Sequence, residues 1–354
     1  MQPITVLSLF DGMSCGRLAL ERAWIPVASY YASEIDKYAI QVSKKNFPDI
    51  HQIGNAEWVE VFYTLTWGID HWYRIKSEWS YYRLWSWWLD LLIGGSPCQW
   101  FSNAGKGLNF SDPRSKLFFE FVRILNEAKP RYFLLENVPM KEERIKIINQ
   151  HLGGIQPMVI NSSLVSAQSR ERLYRVGKRE GDRYKMIYIP LPEDKKLTLK
   201  DILQDKVEES YYINQDKVQN TNTKQSNFLK KILLNINPSG KGMNGNVYNP
   251  EHKSPTLTTN KGEWIKIIQL PRGKNIWGIM ENKTPTLSTN LWQHNNLLQE
   301  WYRVRRLTPI ECERLQTLPD DYTAGVSNSQ RYKMLWNGRT VDVIAHIFRE
   351  MFKD

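Results

Sequence analysis

Cysteine is scarce in this chain: Cys15, Cys98 and Cys312 are the three present in 354 residues. An odd, widely spaced set argues against a disulfide framework. No pair has the CxxC or Cys/His spacing of a zinc site. Long apolar runs are missing too, and nothing approaches the roughly 18–20 residues that a membrane span needs. The opening segment, Met1 to Phe10, has neither the basic head nor the small-residue cleavage site of a secretion signal. A cytosolic protein without membrane contact is therefore expected. Acidic residues are in deficit, 37 against 48 Lys and Arg, for a formal net charge of +11. Such a surplus suits a polyanionic partner, although charge alone does not separate nucleic-acid binders from other basic proteins.

What is present is a run of short apolar strands alternating with helices. Residues 4–10 read as a buried strand, and Asp11-Gly12-Met13-Ser14-Cys15-Gly16 as a tight turn opening a helix to about Trp24. Residues 27–32 form a second strand ending at Ser33-Glu34-Ile35-Asp36, followed by a helix from Lys37 to about Asn46. Residues 58–88, rich in aromatics and interrupted, fit no pattern. Residues 89–93 are a strand leading to Gly94-Gly95-Ser96-Pro97-Cys98. An amphipathic helix spans 115–128, and Tyr132 to Leu135 form a strand ending at Glu136-Asn137-Val138. This alternation predicts an α/β fold with a doubly wound, mainly parallel sheet. The polar motifs all fall at strand ends, where such sheets bind ligands.

The texture changes after about residue 190. Residues 205–300 are rich in Asn, Lys, Thr and Gly and carry an internal repeat. Ser254-Pro255-Thr256-Leu257-Thr258-Thr259-Asn260 returns as Thr284-Pro285-Thr286-Leu287-Ser288-Thr289-Asn290. Regular patterning resumes at Arg305, with helices near 308–316 and 338–351. Three parts are expected: a catalytic and ligand-binding domain over 1–190, a smaller irregular domain over 191–304, and a C-terminal segment over 305–354 that packs back on the first.

Several residue types at these strand ends carry chemistry. Cys98 follows a Gly-Gly-Ser-Pro turn that projects it from a constrained position, as a nucleophile requires; a buried turn cysteine is the plain alternative. Glu136 ends the next strand at the same sheet edge, where a carboxylic acid can donate one hydrogen bond and accept another; a helix cap is the alternative. The glycines of the first turn let backbone N–H groups approach a ligand, though the turn is not a full GxGxxG pattern. Glu34 is placed for ribose hydroxyls; otherwise it is a solvated strand-end carboxylate. Arg170 and Arg172, two apart, share a face if extended. They would bind phosphate and steady Glu136, or lie on a charged surface strand.

In this order the segments resemble the cytosine-C5 DNA methyltransferase family, especially its phage and bacterial members, over nearly the whole chain. Leu9-Phe10-Asp11-Gly12 resembles its donor-binding motif, and Gly95-Ser96-Pro97-Cys98-Gln99 its nucleophile motif. Glu136-Asn137-Val138 matches its acidic motif, and Gln168 to Arg172 its Gln-x-Arg-x-Arg motif. Arg306 to Gln316 resembles the helix that organises the recognition domain, and Asn337-Gly338 the last donor-binding motif. The resemblance implies a Rossmann-like methyltransferase that moves a methyl group from S-adenosylmethionine to C5 of cytosine in double-stranded DNA, with base flipping. Carbon 5 is a poor nucleophile, and a thiolate added at C6 makes it enamine-like. By the same resemblance Cys98 is the nucleophile, Glu136 the partner of cytosine N3, and Arg170 and Arg172 their support. The donor would meet Phe10, Asp11, Gly12, Ser14, Glu34, Ile35, Asn55, Pro97 and Asn337. Asn55 stands where the family has an Asp that holds the adenine amine. Residues 99–115 would close over DNA and 191–304 would read its sequence. The repeated Pro-Thr-Leu elements would contact bases or phosphates there, or serve as scaffold turns. A monomer associated with the nucleoid, within a phage or a restriction-modification system, is expected.

The chain departs from the family at several tryptophans, of which it has 14. Trp100 and Trp336 occupy positions where the family has glycine, and Trp24 and Trp264 look alike. Side chains there should obstruct the loop or the donor pocket. These positions are read as glycine codons, UGA, translated as tryptophan; divergence with local repacking is the alternative. Two other functions compete: the same chemistry on tRNA, and a non-catalytic DNA-binding descendant of the enzyme. A nicotinamide-dependent oxidoreductase is poorly served by the incomplete glycine pattern.

Overall fold

The computed structural model describes residues 1–64, 70–75, 89–95, 116–213, 231–236, 245–257, 265–269 and 303–353. The chain opens with β1 (Ile4–Leu9), α1 (Cys15–Arg22), β2 (Val27–Ser33), α2 (Lys37–Asn46) and β3 (His51–Gln52). A hairpin of β4 (Val59–Thr64) and β5 (Asp70–Ile75) follows, within the stretch whose sequence fits no pattern. Then come β6 (Leu91–Gly94), α3 (Lys116–Ala128), β7 (Tyr132–Asn137), α4 (Glu142–His151), β8 (Met158–Asn161), β9 (Glu171–Glu180) and β10 (Arg183–Met186). Beyond these lie β11 (Ile232–Asn235), β12 (Asn246–Tyr248), β13 (Lys266–Gln269), β14 (Arg303–Arg306), α5 (Pro309–Leu315), α6 (Asn328–Asn337) and α7 (Val341–Met351).

The main sheet runs β10-β9-β7-β6-β1-β2-β3, with β8 also paired to β9. Strands β3, β2, β1, β6 and β7 are parallel, and β9, β10 and β8 extend the sheet antiparallel. This is the doubly wound, mainly parallel architecture expected from the sequence. Its central strands are buried on both faces, so they read as continuous apolar runs. Ile4 and Val6 of β1, Leu91 and Ile93 of β6, and Tyr132 and Leu134 of β7 face one core, shared with α1 and α7. Leu7 and Leu9, Leu92, and Phe133 and Leu135 face the other, shared with α3. Each fully buried side chain of this kind contributes roughly 1.5–3 kcal/mol. The strand period of two carries past the apolar run, so Glu136 falls on the α1/α7 side and Asn137 on the α3/α4 side.

The chain leaves β1 for β2 on one side and later crosses to β6 on the other. The switch point thus lies between the carboxyl ends of β1 and β6, where a crevice forms in such sheets. The turn after Leu9 and the turn after Gly94 flank it.

Residues 205–300 were expected to be irregular, but their described parts include β11, β12 and β13, which join β14 in a second, four-stranded sheet. Short strands separated by long polar connections carry little periodicity, which is why the sequence conceals them. The first repeat is scaffold in its described residues. Ser254 bridges Gln168, Ser169 N–H donates to the Ser254 carbonyl at 2.9 Å, and the Thr256 hydroxyl donates to the Ser169 carbonyl at 2.9 Å. Its residues 258–260 and the whole second copy lie outside the described residues.

Between the second sheet and α5 sits a fully buried ion pair. Both terminal nitrogens of Arg305 reach Glu311, each at 2.7 Å, and both side chains are 0 % exposed. Glu311 also closes a capping box with Thr308, accepting from its backbone N–H at 2.8 Å. Removing the carboxylate strands a buried guanidinium, which costs about 3–5 kcal/mol. Glu311→Ala is expected to lose about that much stability in urea denaturation; a loss below about 1 kcal/mol would contradict this account of the pair.

The helix expected to reach Trp24 stops at Arg22. Trp24 N–H bonds the Glu21 carbonyl at 3.0 Å and Ile25 N–H the Leu20 carbonyl at 3.0 Å. This is a Schellman stop with Trp24 as its left-handed residue, φ 59°, and its side chain is 90 % exposed. Glycine takes that conformation without the Cβ penalty, and an exposed Trp gains little packing in exchange. Trp336 is different. It lies inside α6 without a positive φ, and its half-buried side chain packs on the core shared with α1. Its backbone therefore does not require glycine. Trp100 and Trp264 lie outside the described residues. Trp24→Gly should stabilise the chain by about 1 kcal/mol, read as a higher urea midpoint. The gene should carry UGA at codon 24, and UGG there would remove the recoding explanation.

Candidate active site

The turn after β1 is wound through left-handed residues at alternate positions, with φ 56° at Phe10, 63° at Gly12 and 62° at Ser14. A Cβ on Gly12 would meet nothing within 4 Å, so this backbone faces open space. Asp11 turns inward. Its carboxylate accepts from the Ser14 hydroxyl at 2.5 Å and from the Tyr30 hydroxyl at 2.7 Å, and Ser14 also meets Ser43 at 2.6 Å. Burial pushes the Asp11 carboxyl up, against the pull of these hydrogen bonds. Asp11 and Ser14, expected at the donor, are thus spent on holding the turn.

Glu34 closes the other wall. One oxygen accepts from Gly12 N–H at 2.7 Å, and the other from Ile35 N–H and Asp36 N–H, both at 2.8 Å. A carboxylate has about four lone-pair sites, so acceptor capacity remains for a ligand hydroxyl. Ile35 is 77 % exposed beside it, a large apolar side chain at the mouth of the crevice. The Asn55 side-chain oxygen accepts from Glu57 N–H at 3.1 Å and caps a short turn, so its use toward an adenine amine would compete with that cap. Asn337 ends α6 and is exposed.

The nucleophile turn is described as far as Gly95; Pro97, Cys98 and the expected loop over 99–115 lie outside the described residues. The other two cysteines are poor nucleophiles. Burial pushes the Cys15 thiol up to about 11 and raises that of Cys312. A thiol held protonated does not attack.

Glu136 is 8 % exposed, and each of its oxygens faces a different guanidinium. Arg172 Nε stands 3.1 Å from Oε1, and Arg339 Nε donates to Oε2 at 3.2 Å. The β7–β9 register pairs Glu136 with Tyr174, so Arg172, two residues earlier on β9, falls on the same face. Tyr174 itself is buried, which raises its phenol and keeps it neutral. Arg170 was expected to bind phosphate and steady Glu136. Instead it is buried and donates to the carbonyls of Trp336, at 2.8 Å, and Gly338, at 3.0 Å. It precedes β9 by one residue, and its guanidinium goes to the segment around Asn337. The motif therefore divides its labour: Arg172 holds the acid, and Arg170 ties down the segment that delivers Arg339.

Sequence reasoning missed Arg339, Tyr174 and Arg175. Arg175 is fully buried on the other face of β9, where burial lowers it to about 10. It donates to Asn137 at 3.1 Å and to Asn149 at 2.9 Å. It thereby fixes the residue next to Glu136 to α4.

Comparison with known proteins gives the family and the fold. The family model for the C-5 cytosine-specific DNA methylase matches residues 4–353. The orphan methyltransferase M.SPRI of Bacillus phage SPR is 30 % identical, over 99 % of this chain and 98 % of its own. The type II methyltransferase M.NlaX of Neisseria lactamica is 29 % identical, over 98 % of this chain and 95 % of its own. Among solved structures, the Entamoeba histolytica methyltransferase EhMeth shares the fold, with a TM-score of 0.63 and 19 % identity over 99 % of this chain and 98 % of its own. With its strand-end acid, its glycine turn and a family match spanning both, the chain belongs to the C-5 cytosine-specific DNA methylase family.

Proposed function

We propose that this protein methylates C5 of cytosine at a specific sequence in duplex DNA, with S-adenosylmethionine as donor and Cys98 as covalent nucleophile. The observation that carries the reading is the bracketed Glu136 carboxylate, set at the strand edge beside the turn that leads to Cys98. The donor fits the crevice wall: open backbone at Gly12, spare acceptor capacity on Glu34 and an apolar surface on Ile35. When bound, it supplies an electrophilic methyl group on sulfur.

The Cys98 thiolate adds to C6 of an extruded cytosine, and Glu136 holds the N3/N4 edge so that electron density can pass through the ring to C5. Carbon 5 takes the methyl group. Its proton then leaves to a base, and the sulfur–C6 bond breaks to restore the aromatic ring. Phe10, Gly12, Glu34, Ile35, Pro97 and Asn337 contact the donor, while Asp11, Ser14 and Asn55 shape its walls. Residues 1–190 act as the catalytic unit and 191–304 as the recognition unit, with 305–354 completing the first. The protein works as a monomer in the cytoplasm, at the nucleoid. Among the described residues, no helix is long and apolar enough to cross a membrane.

Labelled-donor assays on duplex DNA and on tRNA test the reading. Methyl transfer is expected on DNA, and transfer confined to tRNA would replace the substrate. Cys98→Ser should bring transfer below detection and prevent the covalent complex with DNA containing 5-fluorocytosine, while donor binding persists. That analogue traps the adduct because fluorine cannot leave C5 as the proton does. Glu136→Gln should cost about 100-fold or more in rate. Wild-type activity in Cys98→Ser ends the mechanism. Trp100→Gly should raise the rate, and an unchanged or lower rate dismisses a displaced glycine at that position.

A further inference from the structure

Arg339 belongs to none of the motifs read from the sequence, yet it lies against the start of α1, the Glu136 carboxylate and Gly95. It is 6 % exposed. Its backbone N–H lies near enough to the Cys15 sulfur, at the start of α1, to favour the thiolate there. Its Nε donates to Glu136 Oε2 at 3.2 Å. Its Nη2 would lie 2.6 Å from a Cβ placed on Gly95, so the guanidinium packs directly on the turn that leads to Cys98. Position 95 accepts no side chain while Arg339 is there. The buried Asp11 carboxylate lies within electrostatic range and, with Glu136, favours the charged guanidinium.

The arrangement is directional. Glu136 meets a guanidinium at each oxygen, but only Arg339 Nε hydrogen-bonds it, at Oε2. Arg172 faces Oε1 as an ion pair without hydrogen-bond geometry, so the directed hold on the carboxylate plane comes from Arg339. Two guanidinium contacts leave about half of the carboxylate's acceptor sites for a base edge. Arg339 is itself placed by Arg170, which grips the carbonyls on both sides of Asn337. A purely structural cation would not need to end on the acid.

We propose that Arg339 is a positioning residue for methyl transfer: it fixes the plane of the Glu136 carboxylate against the cytosine edge and ties that plane to the nucleophile turn. The inference rests on the reading of Glu136 as the base-edge acid. A small misplacement of a reacting group can cost about 100-fold in rate. Arg339→Gln is therefore expected to lower kcat by about 100-fold and the rate of 5-fluorocytosine trapping in parallel, with the donor KM within about twofold of wild type. Arg339→Lys keeps a cation without the planar fork. It should recover about tenfold of that loss and stay about tenfold below wild type.

Wild-type kcat in Arg339→Gln overturns the proposal. So does a loss of kcat matched by equal losses of donor affinity and Tm that Lys does not restore, since that pattern marks a structural role only. Should the Gln variant fail to fold, the Lys variant decides: a folded Arg339→Lys with wild-type kcat overturns the proposal, and a tenfold deficit at unchanged donor KM supports it. Cys98→Ser in the same assay separates the two levels. If it is active, the covalent mechanism falls; if it is inactive while Arg339→Gln is normal, this inference alone falls.

Discussion

A buried carboxylate between two guanidiniums organises this molecule. Glu136 stands near the end of a strand whose preceding residues are apolar and buried, and an ionised group there needs compensation close at hand. Arg172 and Arg339 supply it from different parts of the chain. The first arrives by strand register and the second by the C-terminal segment folding over the crevice. Around this contact lie Gly95 in the turn after β6, the glycine turn of β1 and the neutral phenol of Tyr174. Arg170 and Arg175 add a further layer by holding the segments that present Arg339 and Asn137.

The parallel core was legible because its signal is local. Strands buried on both faces must be continuously apolar, and each one stops abruptly at a polar or glycine-rich turn. Reading those stops as one edge of a sheet was enough to bring Glu34, Gly95 and Glu136 to the same crevice. Arg172 was legible for the same reason, two positions along a strand. Arg339 was not, because its partner is 203 residues away and the adjacent Asn337-Gly338 points to the donor and not to Glu136. Arg170 falls one residue before β9, and its bonds to the Trp336 and Gly338 carbonyls join it to a segment that spacing along one strand does not reveal. The second sheet was hidden by strands of three and four residues, too short to show a period.

The tryptophans show how backbone conformation separates residues that composition treats alike. At position 24 a helix terminates in a left-handed turn, and the side chain has nowhere to pack. At position 336 the backbone is helical and the ring is covered. The first is tolerated at a cost in stability; the second contributes to the core. Elsewhere the fold handles buried charge with consistent economy of geometry. Arg305 and Glu311 meet at both terminal nitrogens, and the same Glu caps the helix that follows.

The interlock between α1 and the last helices has a consequence for biosynthesis. Tyr322 donates to the Met13 carbonyl, and Arg22 pairs with Asp342, so the first crossover of the sheet is sealed by residues 309 and 320 positions further along the chain. While translation is under way, the face of α1 that will meet α7 has no cover. The Glu136–Arg339 contact cannot form until position 339 has been made, and α1 keeps an open apolar face until α7 follows it.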